Sequence, residues 1–166
     1  EYANMVTDLI AGKGADAKAA KNLLGKFHSM ITLDPALGYL VADMKSNPTE
    51  YLFQHGMNMA LITMSTAKYM GYSSQQVFDA GVAALFSDVG MLQVPREIRF
   101  ADRKLTQGEW LQIEQHPIHT ANILEQISSI SQHTLLAAYQ AHERCDGTGY
   151  PRRRRPRRGW SDGLRD

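Results

Sequence analysis

The sequence predicts an all-α fold, and three observations predict it. Apolar residues recur at helical spacing along nearly the whole chain. Residues that start and stop helices bracket those stretches: Asp34-Pro35, the Thr106/Glu109 pair, and Gly71 after a long apolar run. No segment alternates apolar and polar residues for long enough to mark a strand. At 166 residues the chain fits one domain with a real core, and 43% hydrophobic with 21% charged residues is the balance of an ordinary globular protein.

The elements follow in order. Periodicity places a first helix over 15–28, with Ala17, Ala20, Leu24 and Phe27 on one face. Asp34 reads as an N-cap with Pro35 as first helical residue, opening a helix through Met44 that Asn47-Pro48 breaks. A long apolar helix spans about 50–70, and Gly71 is placed to end it. Ser73 or Ser74 caps the next, which runs to about Phe86. Ser87-Asp88-Val89-Gly90 then interrupts the apolar run, and Val94-Pro95-Arg96-Glu97-Ile98 suggests a short helical turn. Thr106 and Glu109 form a capping box for a helix that stops near His116-Pro117. Two more helices are expected over 118–127 and 132–143, before turn chemistry at Asp146-Gly147-Thr148-Gly149. Met59, Met64 and Met70 read as core packing.

The net charge of +1 hides an uneven distribution. From Arg152 onward the chain holds seven arginines against Asp162 and Asp166, and setting these aside leaves 11 basic against 15 acidic residues. The body is mildly acidic and offers no broad nucleic-acid footprint. The tail is expected to stay solvated and disordered, as a frayed terminus, an out-of-frame product or a site for an anionic partner. No apolar run reaches the roughly 18 residues of a membrane span. The chain opens on Glu1, which suggests an excerpt or processed product, and shows no signal-peptide pattern. The single cysteine, Cys145, excludes an internal disulfide and suits a reducing cytoplasm.

The chemistry lies in histidine and aspartate. His55 falls inside the long helix, Asp88 at a helix break, and His116 and His142 each at the expected end of a helix. Imidazoles and a carboxylate delivered from separate helices into one interior are how helical metal enzymes build sites. Such N/O ligation suits iron, manganese or zinc. Buried imidazoles hydrogen-bonded to Asp88 would also satisfy one another without metal. His28, His119 and His133 fit surface or capping roles.

Several segments together resemble the HD-GYP domain, a bacterial branch of the HD phosphohydrolase superfamily. They are Gln54-His55, the run Ala83-Ala84-Leu85-Phe86-Ser87-Asp88-Val89-Gly90, Val94-Pro95, and Lys104-Leu105-Thr106-Gln107-Gly108-Glu109. His116-Pro117, Ile123-Leu124 and the run His142-Glu143-Arg144-Cys145-Asp146-Gly147-Thr148-Gly149-Tyr150-Pro151 complete the set. The resemblance implies an HD-domain-like helical bundle over 47–151, with 1–46 as N-terminal helices of the same module and 152–166 as the tail. It implies a divalent-metal centre hydrolysing cyclic di-GMP or a related cyclic dinucleotide. By position, His55, Asp88, His116 and His142 match metal ligands, with Asp88 the bridging and catalytic aspartate. Gly149, Tyr150 and Pro151 match the substrate-side signature.

The departures from that pattern are equally specific. Ser87 stands where the family has the histidine of its His-Asp pair, and Ala141 where it has the first of two adjacent histidines. Met91 replaces a lysine and Thr120 a glycine, and the arginine tail replaces a further ligating aspartate and basic residues. The expectation is an HD-GYP-type signalling domain with lost or much reduced catalysis, serving as a signalling or protein-interaction module. The alternatives are a residual phosphohydrolase using Asp88, His116 and His142, or an anionic-partner binder acting through the tail. Without the family's closing helix, exposed apolar surface would invite a homodimer or instability.

Overall fold

The computed structural model describes residues 4, 7–8, 18–42, 51–127 and 129–153, and all regular structure among them is helical. The elements are α1 (Lys18–Leu33), α2 (Ala36–Ala42), α3 (Tyr51–Tyr69) and α4 (Ser74–Phe86), then a 3-10 turn (Val89–Gln93). After it come α5 (Arg96–Arg99), α6 (Gln107–Glu114), α7 (His116–Leu124) and α8 (Gln132–Tyr139). Ala17, Met44, Asn47-Pro48 and the tail beyond Arg153 lie outside the described residues.

Local chemistry accounts for the boundaries. Helix α1 runs past the expected end because Ile31 stands seven residues, two turns, beyond Leu24 and continues its buried stripe. The Asp34 carboxylate accepts from the backbone N–H of Ala36 at 2.9 Å, the expected cap of α2. Helix α3 closes with Tyr72 N–H bonded to the Ala67 carbonyl at 3.1 Å and Gly71 N–H to that of Lys68 at 3.0 Å, the paired bonds of a Schellman motif. Of the two candidate caps for α4 it is Ser73 that serves, exchanging hydrogen bonds with Gln76 in a capping box.

Three expectations need correction. His116 does not end a helix: α6 stops at Glu114, Gln115 turns, and His116 opens α7. Pro117 is at home there, since the first turn of a helix needs no N–H from it. Helix α8 ends at Tyr139, so His142 sits beyond it in a turn. Of the three methionines only Met64 is buried, while Met59 and Met70 are exposed. Steps of five and six residues rotate a helix by about 140° and 240°, so the three could not share a face.

Helices α3 and α4 form the most extensively packed pair. The core gathers Leu24 and Ile31 of α1, Ala60 and Met64 of α3, Val77, Leu85 and Phe86 of α4, and Ile123 and Leu124 of α7. Helix α6 contributes no buried residue. Arg103 grips the Glu109 carboxylate with both terminal guanidinium nitrogens, at 2.9 and 2.6 Å, and so anchors the start of α6 beside its capping box. No helix among the described residues is long and apolar enough to cross a membrane.

Candidate metal centre

Four elements converge on one carboxylate. Asp88 follows the end of α4, where the chain leaves helical geometry and enters the 3-10 turn. His142 Nε2 lies 2.9 Å and His116 Nε2 3.2 Å from its Oδ1, while His55 Nε2 reaches Oδ2 at 3.1 Å. The ligand atoms of Asp88, His116 and His142 all lie within 4.8 Å of one another. His55, from α3, is more exposed and stacks on Tyr51. The structure thus brings together all four residues singled out in the sequence.

The hydrogen bonding tests whether these residues fit a cation. His116 Nδ1 lies 2.7 Å from the backbone carbonyl of Ile113, which can only accept, so Nδ1 carries the proton. A neutral His116 then turns the Nε2 lone pair toward a carboxylate oxygen, and two acceptors repel. The contact is favourable only with a proton or metal cation at Nε2. A carbonyl holding the far nitrogen is also the usual way a ligating histidine is oriented. The donor set of imidazole nitrogens and carboxylate oxygen fits a divalent transition metal.

Asp88 itself feels two opposed influences. Burial acts to raise its pKa, but hydrogen bonds from His116, His142 and His55 outweigh it and hold the carboxyl well below the usual carboxylate range. The hydrogen bond to Asp88 raises the pKa of His55, partly offset by burial. In metal-free protein these shifts act as stability terms. The depressed Asp88 stabilises the fold above its unfolded pKa near 3.8, and that contribution is lost as pH falls below it. The raised His55 stabilises below its unfolded value near 6.5, and its share is lost as pH rises through the higher folded value. Denaturant unfolding in chelator should therefore show greatest stability between about pH 4 and 6.5. Both limbs should flatten in Asp88→Asn; unchanged limbs in that variant would refute the assignment.

The loop carrying Asp88 is held by a residue the sequence marked only as a departure. Thr120 of α7 is fully buried; its Oγ1 accepts from Gly90 N–H at 3.0 Å and donates to the Ser87 carbonyl at 3.0 Å. One hydroxyl thereby ties both flanks of Asp88 to the helix that carries His116. Thr120→Val preserves the shape but strands a buried donor and a buried acceptor, and should lower stability by roughly 2–4 kcal/mol in urea unfolding, whereas Thr120→Ser should retain most of it. A substitution to valine that cost nothing would show that these bonds are dispensable. Gly90 is itself required: a Cβ there would overlap the backbone of His116 and Thr120.

Tyr150 closes the other side. Gly149 packs against the backbone of residues 142–144, leaving no room for a Cβ, and so lets the chain fold back. Tyr150 N–H then bonds to the His142 carbonyl at 3.1 Å. The phenol ring stacks on His142, with centroids 4.9 Å apart and planes 12° apart, and meets His116 edge-on at 5.8 Å. Burial, then the charges of Asp88 and Glu114, push its pKa up, so the hydroxyl stays protonated at neutral pH. The Tyr150–Pro151 peptide is cis, and Pro151 is half-buried.

Ser87 and Ala141 supply no ligand atom to the site. Ser87 Oγ donates back to the Ala84 carbonyl at 3.1 Å, and Ala141 is exposed. Cys145 is exposed and outside the cluster. The first two tail arginines are held by the fold: Arg152 lies over the Tyr139 ring, and Arg153 pairs with Glu114 at 2.8 Å.

Imidazoles delivered from separate helical elements onto one aspartate form a donor set that can hold a divalent metal ion. The family model described as HD domain matches residues 39–157, and the chain belongs to that family. Among curated proteins it is similar to a cyclic di-GMP phosphodiesterase of Pseudomonas aeruginosa, 27% identical over 148 residues, covering 89% of this chain and 36% of that protein. It is also similar to the 3'3'-cGAMP-specific phosphodiesterase 1 of Vibrio cholerae, 29% identical over 70% of this chain and 27% of that protein. A third relative, the 3'3'-cGAMP-specific phosphodiesterase 3 of the same organism, is 32% identical over 68% of this chain and 24% of that protein. The chain spans about a third or less of the length of these curated relatives. No solved structure gives a significant match.

Proposed function

We propose that this chain is an HD-GYP-type signalling domain that binds one divalent metal ion through Asp88, His116 and His142, with His55 on the second carboxylate oxygen, and engages a cyclic dinucleotide with little or no hydrolysis. The observation that carries the reading is the convergence of three imidazoles on one carboxylate, beside a Ser87 hydroxyl turned back into α4 and an Ala141 without a ligating atom. The names of the relatives support the substrate class.

When bound, such an ion supplies Lewis-acid polarisation of a phosphodiester and acidification of water. The chain's own residues do the rest. The Ile113 carbonyl fixes the ring of His116, and the face of Tyr150 restricts His142 and walls one side of the centre. The protonated Tyr150 hydroxyl is a donor for an anionic ligand oxygen, and close packing at Gly149 lets the chain fold back to place that ring. A second ion would need ligands at positions 87 and 141 that this chain does not supply.

Metal analysis of purified protein, with turnover of cyclic di-GMP and of 3'3'-cGAMP, tests this. At most one equivalent of iron, manganese or zinc, dinucleotide binding, and no linear product above background are expected. Linear dinucleotide accumulating in proportion to added manganese would instead establish the residual phosphohydrolase. Iron, manganese and zinc remain the candidate ions, since all three accept N/O ligation.

A further inference from the structure

The two arginines that open the basic tail touch both elements that bring histidines to Asp88. The backbone N–H of Arg152 donates to Glu143 Oε1 at 2.6 Å, and its guanidinium lies over the Tyr139 ring, 5.6 Å from the centroid. Tyr139 ends α8 and Glu143 follows His142, so these contacts fall on either side of that histidine. Arg153 reaches further: its Nη2 donates to Glu114 Oε2 at 2.8 Å. Glu114 is the last residue of α6, two positions before His116, and only 16% of its side chain is exposed.

Two details separate these contacts from ordinary surface pairing. Arg153 has a φ of 52°, which makes it the one non-glycine residue in the left-handed region among the described residues. With a Cβ present that conformation is costly, and it persists where surrounding contacts impose it. His142, for its part, lies outside every helix, so no helical ladder holds it 2.9 Å from Asp88. Its restraint is the segment that folds back, with Tyr150 N–H on its carbonyl and the Tyr150 ring on its imidazole. Arg152 and Arg153 follow directly and fasten the far end of that segment. An exposed ion pair contributes little alone. Here a largely shielded carboxylate, a backbone N–H and a ring contact all act on two consecutive residues.

We infer that Arg152 and Arg153 form a clasp that positions His142: by joining the end of α6 to the turn beyond α8, they set the spacing of the His116 and His142 imidazoles around Asp88. Both are positioning residues, acting through Glu114, Tyr139 and Glu143. Their role in metal binding rests on the proposed centre, whereas the placement of the His142 ring does not.

Full-length variants test the two parts separately. In chelator, proton NMR follows the Cε1–H of His142, assigned by its absence in His142→Asn and displaced by stacking on Tyr150. Arg153→Gly accepts the left-handed backbone but lacks the guanidinium, and Glu114→Gln removes the opposite charge. Each should move that resonance at least halfway to its position in Tyr150→Ala, and Arg153→Lys should move it much less. Arg152→Ala loses the ring contact but keeps the N–H bond, and should act in the same direction more weakly. In zinc competition, Arg153→Gly and Glu114→Gln should each weaken affinity about threefold or more, below the roughly 10–100-fold cost of losing a group bonded to a ligand. A wild-type resonance in both variants, with unchanged circular dichroism, would overturn the clasp. A displaced resonance with unchanged zinc affinity would overturn its role in metal binding. A wild-type protein that bound no zinc would refute the metal centre, and the ring resonance would still decide the clasp.

Discussion

Asp88→Ala is expected to strip the protein of bound divalent metal, lowering affinity by more than about 100-fold. The size follows from position: loss of a residue that merely orients a ligand costs roughly 10–100-fold, and Asp88 is the carboxylate on which His55, His116 and His142 all converge. Competition against a chromophoric chelator with manganese or zinc measures it. His133→Ala is the matched control, because His133 is exposed on α8 and outside the cluster. Equal loss in the two variants would point to adventitious surface binding, and no loss in Asp88→Ala would end the metal-centre reading.

Gly90→Ala is expected to lower stability by roughly 3 kcal/mol or more. The new Cβ would overlap the His116 carbonyl oxygen and the Thr120 N–H nitrogen, and would crowd Thr120 Oγ1 at 2.8 Å. The first two belong to the backbone of α7 and cannot rotate away, so the loop must retreat. Retreat breaks the Gly90–Thr120 hydrogen bond and carries Asp88 away from His116. Thermal unfolding and metal titration should therefore fail together, whereas Gly25→Ala, set in open space, should stabilise the helix slightly. A Gly90→Ala protein that melted like wild type would show the loop to be far more compliant than its packing implies.

The sequence was most legible where chemistry is local. The Thr106/Glu109 capping box depends on residues three apart and formed as read, while Ser73 rather than Ser74 caps α4, in a box with Gln76. Asp34 capped α2 for the same reason. Helix ends set by tertiary contact were harder: Pro117 looked like a stop because a proline can terminate one helix or begin another, and only the Gln115 turn decides which. The site was legible as an ordered set of ligand types through its family resemblance. What no spacing could show is that His116 and His142 share one oxygen of Asp88 while His55 takes the other. Thr120 was legible only as an exception to a pattern, because its partners lie 30 and 33 residues away. His28 Nε2, buried and without a hydrogen-bond partner among the described residues, was equally silent in the sequence.

Thr120 divides the centre into one tied part and two parts carried on separate elements. Asp88 and His116 are riveted to one rigid body, while His55 arrives on α3 and His142 on a turn beyond α8. A centre built that way tolerates attrition. Mutations that erase ligands on the outlying elements leave the riveted pair undisturbed, so the fold is not penalised for each ligand that disappears. A substitution at position 141, on the turn that carries His142, then leaves the Asp88–His116 pair and the helix behind it in place.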